Sequence, residues 1–419
     1  MPNLRGALPL VAAAFLFLPF TQAQTFTVLH TFESAGGSNP QASVIEDRAG
    51  NLYGTAENGG AYNWGTAYRL TPQGKFTVLH SFGATSTDGL LPASPLLLDS
   101  KGDLYGTTVL GGDFCDTSGS SPISCGTVYK INSAGKESIV HAFLGSLPTV
   151  DGANPFAGLI ADSKGNLYGT TYIGFNGLNQ AGTAFELTPS GKETILHTFP
   201  GDGDGFAPYG PLVMDSSGNL WGTTFSGGEN SCLLEGCGTV FKLTKSSTGW
   251  TETVTFTFNG ANGAHPYAGL SWDPHRRVFY GTTQFGGANT NDCFDEGDPV
   301  GCGVLFELDS TGTQETILHS FTGGADGKLP YAGLVLDPFG DLYGTTPNGG
   351  NGYGTVFVQT VVGDFITLHT FTGGADGAYP FGGLHLDLKK LALYGTTSEG
   401  GDLTCDEGAG CGTLFSITP

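Results

Sequence analysis

The chain has 419 residues, 38 acidic side chains against 16 basic ones and a formal charge of −22, with 70 glycines, eight cysteines and only two methionines. That excess of negative charge excludes a polyanionic partner such as nucleic acid. The glycine content, with no sustained helical period, excludes a helical protein and leaves an all-β chain, because β-branched and aromatic runs of four to six residues alternate with Gly, Asn, Asp and Pro turns throughout.

The first segment, MPNLRGALPLVAAAFLFLPFTQA, has one early base, Arg5, an apolar run from Ala7 to Phe20 and a small residue, Ala23. This pattern predicts a secretory signal peptide over residues 1–23, too short for a comfortable membrane span. No later segment is apolar enough to cross a bilayer, and the closing GTLFSITP carries no hydrophobic tail or basic stop. The expectation is a secreted (periplasmic or extracellular) monomer with no membrane span, built as a single domain over residues 24–419.

TFTVLHTF (Thr25–Phe32) comes next, a strand standing before any repeat unit. A complete unit runs from Asp326 to Phe371 and contains four strand-like runs: AGLVLD, DLYGTT, GTVFVQ and FITLHTF, the first to fourth types. First-type runs end near Asp47, Asp99, Asp162, Asp215, Asp273, Asp337 and Asp387. Third-type runs begin at Gly65, Gly126, Gly182, Gly238, Gly303, Gly354 and Gly412. The YGT or WGT copies recur every 51 to 63 residues, the range of one four-stranded blade plus loops. After Gly65 the fourth type occurs only six times, so the missing copy is Thr25–Phe32. The prediction is a seven-bladed β-propeller whose last blade is completed by the N-terminal strand, paired antiparallel with Gly412–Ile417. Closure of this kind leaves no open sheet edge. A solenoid or two stacked domains is the alternative.

The D-x-x-G-N-L-Y-G-T, G-T-V-F-x-L and T-V-L-H-x-F blocks resemble the GloVer (Gloeo_Verruco) tandem repeat of exported bacterial proteins, over essentially all of residues 25–419. Asp215–Trp221, DSSGNLW, is similar to the propeller repeats of sensory two-component regulators. The GloVer resemblance implies export and often a C-terminal surface anchor, which this sequence lacks, and it implies no activity.

Residues that recur read as structural. Six fourth-type strands carry a histidine (His30, His80, His141, His197, His319, His369), and Phe256 replaces it in the other. Such positions lie far apart on a ring and cannot converge on one ion, so a half-buried imidazole bonded within its own blade is expected. The Tyr/Trp-Gly-Thr glycine is expected to allow close approach between blades, and each Asp-x-x-Gly to form a turn with Asp capping its own backbone. Five units place an aromatic after the proline that opens the first strand: Phe156, Tyr209, Tyr267, Tyr331 and Phe381. Gln41 and Ala93 occupy the other two. These rings predict a collar at the channel mouth, either packing between blades or stacking on sugars.

The units differ most in the second-to-third connections. Four of these hold all the cysteines as local pairs, Cys115/Cys125, Cys232/Cys237, Cys293/Cys302 and Cys405/Cys411. In an exported chain they read as four disulfides. Zinc is the alternative, against which the spacings x9, x4, x8 and x5 stand. In a meander these connections share a face with the fourth-to-first ones, and together they carry eighteen acids against one base, Lys328. Two readings of this face stand: solvation, or capture of a divalent cation. The cation would be calcium, held at Asp292, Asp295, Glu296 and Asp298 with GDGDG (201–205) as second choice.

The function these features predict is a non-catalytic binding or scaffold module whose disulfide-pinned acidic face meets a glycan or a cationic partner. A glycan-active hydrolase or lyase using loop acids is the alternative, opposed by the absence of G-x-S-x-G or H-E-x-x-H. His265, beside Tyr267, is its one candidate acid/base. A sensor domain is the third reading.

Overall fold

In the computed structural model, which describes residues 24–418 except 113, 117–122, 146–150, 175–180, 229–231, 233–235, 289–292 and 296–297, seven antiparallel four-stranded sheets form a closed propeller. The expected signal peptide therefore lies outside the described residues. From axis to rim, blade 1 is Ile45–Glu46, Leu52–Ala56, Thr66–Leu70 and Phe76–Ser81. Blades 2 to 6 repeat this order from first strands opening at Leu97, Ile160, Val213, Ser271 and Val335. Blade 7 takes His385–Asp387, Ala392–Thr397 and Thr413–Thr418 from the end of the chain and its rim strand, Thr25–Thr31, from the beginning. That strand runs antiparallel to Thr413–Thr418, with Thr25 opposite Thr418 and Thr31 opposite Thr413, so the ring closes as the repeat count requires.

The described residues form no single central core. Seven hydrophobic clusters lie between successive blades, each built from the aromatics and leucines on facing sheet surfaces. The closing one joins Phe32 to Val44, Leu52, Tyr68 and Leu414. Between these clusters the threonine of each Y/W-G-T reaches the next blade's first strand. Thr55 donates to Ser94 O at 3.0 Å, Thr223 to Ala268 O at 2.8 Å and, across the closure, Thr396 to Ala42 O at 2.9 Å. A second contact puts the proline that opens each first strand against the glycine that opens the previous blade's third strand. A Cβ on Gly412 would lie 2.8 Å from Pro40 Cδ, and one on Gly65 only 2.4 Å from Pro92 Cδ.

Three local expectations change. First strands are two or three residues long rather than six, because their opening carbonyls accept the neighbour's threonine instead of a ladder N–H. The Y/W-G-T glycine makes room within its blade rather than between blades: a Cβ on Gly222 would meet Phe241 Cζ of the same blade at 2.5 Å. Each fourth strand also contains a β-bulge just before the histidine position. Ala67 pairs with His80 while Tyr68 pairs with Val78, leaving Leu79 as the extra residue. A bulge re-aims the side chains beside it. Here it turns Leu79 into the inter-blade cluster and leaves His80 at the groove between rims. The Asp-x-x-Gly turns form as expected, with Asp47 Oδ1 accepting from Ala49 N and Asn51 N and Gly50 at φ +83°.

Candidate functional site

The first strands converge on an axial cavity of about 290 Å³, lined by all five predicted collar rings together with Gln41 and Ala93. The rings form a continuous run around the axis. Centroids are 5.5 Å apart for Phe156/Tyr209, 4.5 Å for Tyr209/Tyr267, 4.7 Å for Tyr267/Tyr331 and 5.3 Å for Tyr331/Phe381. Tyr209 and Tyr267 lie nearly parallel, 17° apart, so these two rings meet face to face. Burial pushes both phenols above their ordinary range and keeps them protonated donors. The run ends at Phe156 and Phe381, and Gln41 and Ala93 fill the interval between them.

A layer behind the collar escaped the sequence reading. Tyr172 stacks on Tyr209 at 4.5 Å, Gln284 Nε2 donates to the Tyr331 hydroxyl at 2.7 Å, and Glu57 accepts from Gln41 Nε2 and from Asn39 Nδ2. Desolvation raises the Glu57 pKa, against the lowering effect of its bond from Gln41. The signal was present: each of these residues directly follows a G-T-T or G-T-A, a position at which the seven units disagree.

Each residue before the opening proline has positive φ, from +54° to +59° at Asn39, Leu91, Asn154, Ala207, His265, Leu329 and Tyr379. His265 is one of this set. It is 4% exposed, its Nδ1 bonds Phe225 O at 2.9 Å, and its backbone N–H bonds Cys237 O. Asn154 does the same, with Nδ2 to Val109 O and N–H to Cys125 O. His265 thus joins blades, buried between Phe225 and Phe285.

Disulfides join Cys232 to Cys237, Cys293 to Cys302 and Cys405 to Cys411, and Cys125 is disulfide-bonded as well. The side chain of Cys115, its expected partner, lies outside the described residues, among which no cysteine is free. The two connection types expected on one face do meet. Gly89–Leu90 pairs with Leu110–Gly111, Phe206 bridges Ser226, and the Ser34 hydroxyl lies 3.2 Å from Cys405 Sγ. Of the expected calcium ligands, Asp292 and Glu296 lie outside the described residues, and Asp295 and Asp298 appear only as paired backbone. In GDGDG, Asp204 instead bonds His197.

The rim histidines do not converge, but each faces the next blade at the residue four places before that blade's own histidine position. Three of them lie under a ring: His30 on Phe76 at 3.9 Å, His319 on Phe365 at 3.8 Å and His369 on Phe26 at 3.8 Å. The other three face a glutamate of the next blade rather than a ring: His80 with Asp88 and Glu137, His141 with Asp151 and Glu193, and His197 with Asp204 and Glu252. His319 and His369, besides their rings, pair with Asp326 and Asp376 of the connection that follows. The expected bond within the blade is thus replaced by contacts to the connection that follows and to the neighbouring blade.

Burial lowers the His30 pKa, and no carboxylate is bonded to it among the described residues. Its depressed folded value means stability is complete above the unfolded pKa, about 6.5, and declines as pH falls and the unfolded chain takes up the proton first. His30→Phe, copying the natural Phe256, should flatten the fall in melting temperature between pH 7 and pH 5. An unchanged slope would mean that His30 stays solvated.

Three tandem matches to the Gloeobacter/Verrucomicrobia repeat cover residues 14–120, 114–294 and 293–419. The chain belongs to this repeat family. No curated protein matches it. Among solved structures, the extracellular domain of the proposed one-component system BT4673 from B. thetaiotaomicron aligns at 9% identity and TM-score 0.56, over 93% of this chain and 39% of that one. The extracellular domain of the proposed hybrid two-component system BT3049 from the same organism gives 13%, 0.55, 94% and 41%. This repeat chain thus spans about two-fifths of the length of either. A chain of the Mitotic Checkpoint Complex aligns at 12% identity and TM-score 0.51, over 99% of both chains. At these identities the likeness is one of fold. Among the described residues no helix is long and apolar enough to cross a membrane.

Proposed function

We propose that this propeller is an exported, non-catalytic binding module that takes a small polyhydroxylated ligand, such as a glycan end, at the mouth of its axial channel. The observation that carries this reading is the break in the collar. Around most of the ring the aromatics pack on one another, but at Gln41 and Ala93 the run is interrupted between Phe156 and Phe381. An apolar cavity with a few convergent polar groups is the usual form of a small-ligand site, and Gln41 and the Tyr331 hydroxyl supply those groups, with Glu57 behind them holding the Gln41 amide.

Export is supported by the disulfides, which persist in oxidising compartments, and by the extracellular domains that share the fold. A glycan hydrolase would flank the scissile bond with two carboxyl groups. The described cavity lining includes no Asp or Glu, and Glu57 behind it is engaged by Gln41 and Asn39.

The test is a glycan array followed by calorimetry on the best binder. Parent protein should bind without releasing product, and Phe156→Ala with Phe381→Ala should weaken binding at least tenfold. Released product, or equal binding by the variant, would overturn the reading. Repeating the array with and without calcium tests whether the 291–299 loop contributes.

A further inference from the structure

Six of the seven rim junctions divide into two contiguous arcs of three. From blade 5 through blade 7 to blade 1, each histidine is covered by a phenylalanine of the next blade. From blade 1 to blade 4, the covering residue is instead a glutamate, Glu137, Glu193 or Glu252. It comes together with the aspartate of the fourth-to-first connection to make a His/Asp/Glu set whose donor atoms all lie within 4.8 Å of one another. At the remaining junction Phe256 replaces histidine opposite Glu315, and no such set forms there among the described residues.

We propose that the three His/Asp/Glu junctions are binding sites for a borderline divalent cation, Zn²⁺ first in chemistry, clamping neighbouring blades on one flank of the propeller. The His141 junction carries the argument furthest. Its Nε2 stands 3.7 Å from Asp151 Oδ2 and 3.7 Å from Glu193 Oε2, too far for a hydrogen bond. Ligands held at 2.0–2.2 Å in a tetrahedral shell lie about 3.4 Å from one another, so this spacing suits atoms that share an ion. His141 Nε2 and Glu193 Oε1 are both buried atoms with no hydrogen-bond partner. Such orphaned polar atoms are costly unless something satisfies them.

The Asp151 oxygens are already aimed by Leu144 N–H and Gly145 N–H. Glu137 Oε1 and Glu252 Oε1 are likewise buried without a partner at the flanking junctions. One imidazole with two carboxylates favours zinc-class ions over calcium, which takes six to eight oxygens.

The full secreted chain, stripped with chelator and titrated with Zn²⁺ by calorimetry and elemental analysis, should take up three equivalents and melt higher when loaded. Glu193→Gln should lose one equivalent, and Glu137→Gln with Glu193→Gln and Glu252→Gln all three. His141→Phe, copying the natural Phe256/Glu315 junction, should also lose one while remaining folded by circular dichroism. His319→Gln, at a ring-covered junction, should lose none. No uptake at micromolar zinc would overturn the proposal. So would uptake unchanged in the triple variant, which would mark an adventitious ion only.

Discussion

Deleting residues 24–33 should lower the melting temperature by on the order of 10 °C or more and broaden the transition. The segment supplies the whole rim strand of blade 7, and its six paired positions with the chain's last strand are, among the described residues, the only backbone ladder joining the two ends. It also removes Phe32, fully buried in the cluster between blades 7 and 1, and Phe26, stacked on His369. Phe32→Ala alone should cost about 3–5 kcal/mol from lost transfer energy and the cavity left behind. The deletion exposes the edge of Thr413–Thr418 as well, so the truncated protein should self-associate through it. Scanning calorimetry with light scattering on the parent, Phe32→Ala and the deletion checks all three expectations. A truncated chain that melts like the parent would show the ring to be held without its N-terminal strand.

Reduction should have the next largest effect. The three described disulfides close loops with sequence separations of 5, 9 and 6 residues. On the chain-entropy model each restrains the unfolded chain by about 2–3 kcal/mol, less any native strain. Their loss is not confined to those loops. Cys237 O and Cys302 O accept the N–H of the residue before the next blade's opening proline, and Cys405 and Cys411 lie in the closing inter-blade cluster. Full reduction should therefore lower the unfolding free energy by several kcal/mol and loosen the disulfide-bearing loops first. Thermal melts with and without reductant, alongside thiol titration of denatured, unreduced protein, measure this. Eight reactive thiols before reduction would contradict the pairing.

Most of the fold was legible because repetition converts weak local signals into a joint one. A lone T-V-L-H-x-F says little, but seven first-type runs with only six fourth-type runs after Gly65 place Thr25–Phe32 at the far end of the chain. The bulge before each rim histidine was not legible. Leu79 and His80 alternate like any strand, and only the pairing shows that Leu79 opposes no residue. The same bulge hid the rim junctions, since strict alternation gives no reason for His141 to face Glu193. A comparison across units at the fourth residue before the histidine would have exposed them, where Phe26, Phe76 and Phe365 form one block around the ring and Glu137, Glu193, Glu252 and Glu315 the other.

The collar was legible in part. Phe156, Tyr209, Tyr267, Tyr331 and Phe381 do surround the axis, but their mutual stacking depends on ring orientation, which spacing cannot give. The junction role of His265 was not legible, because histidine beside tyrosine looks like chemistry. Its positive φ and its match to Asn154 identify it as a junction residue.

Binding at the channel mouth is the central claim. The most direct test is hydrogen exchange of the whole chain with and without the array's best glycan. Protection should concentrate at residues 41–43, 156–158 and 381–383, which flank the break in the collar, and should disappear in the Phe156→Ala, Phe381→Ala variant. Protection confined to the disulfide loop at 402–411 or to the rim strands, with the channel residues unchanged, would contradict it.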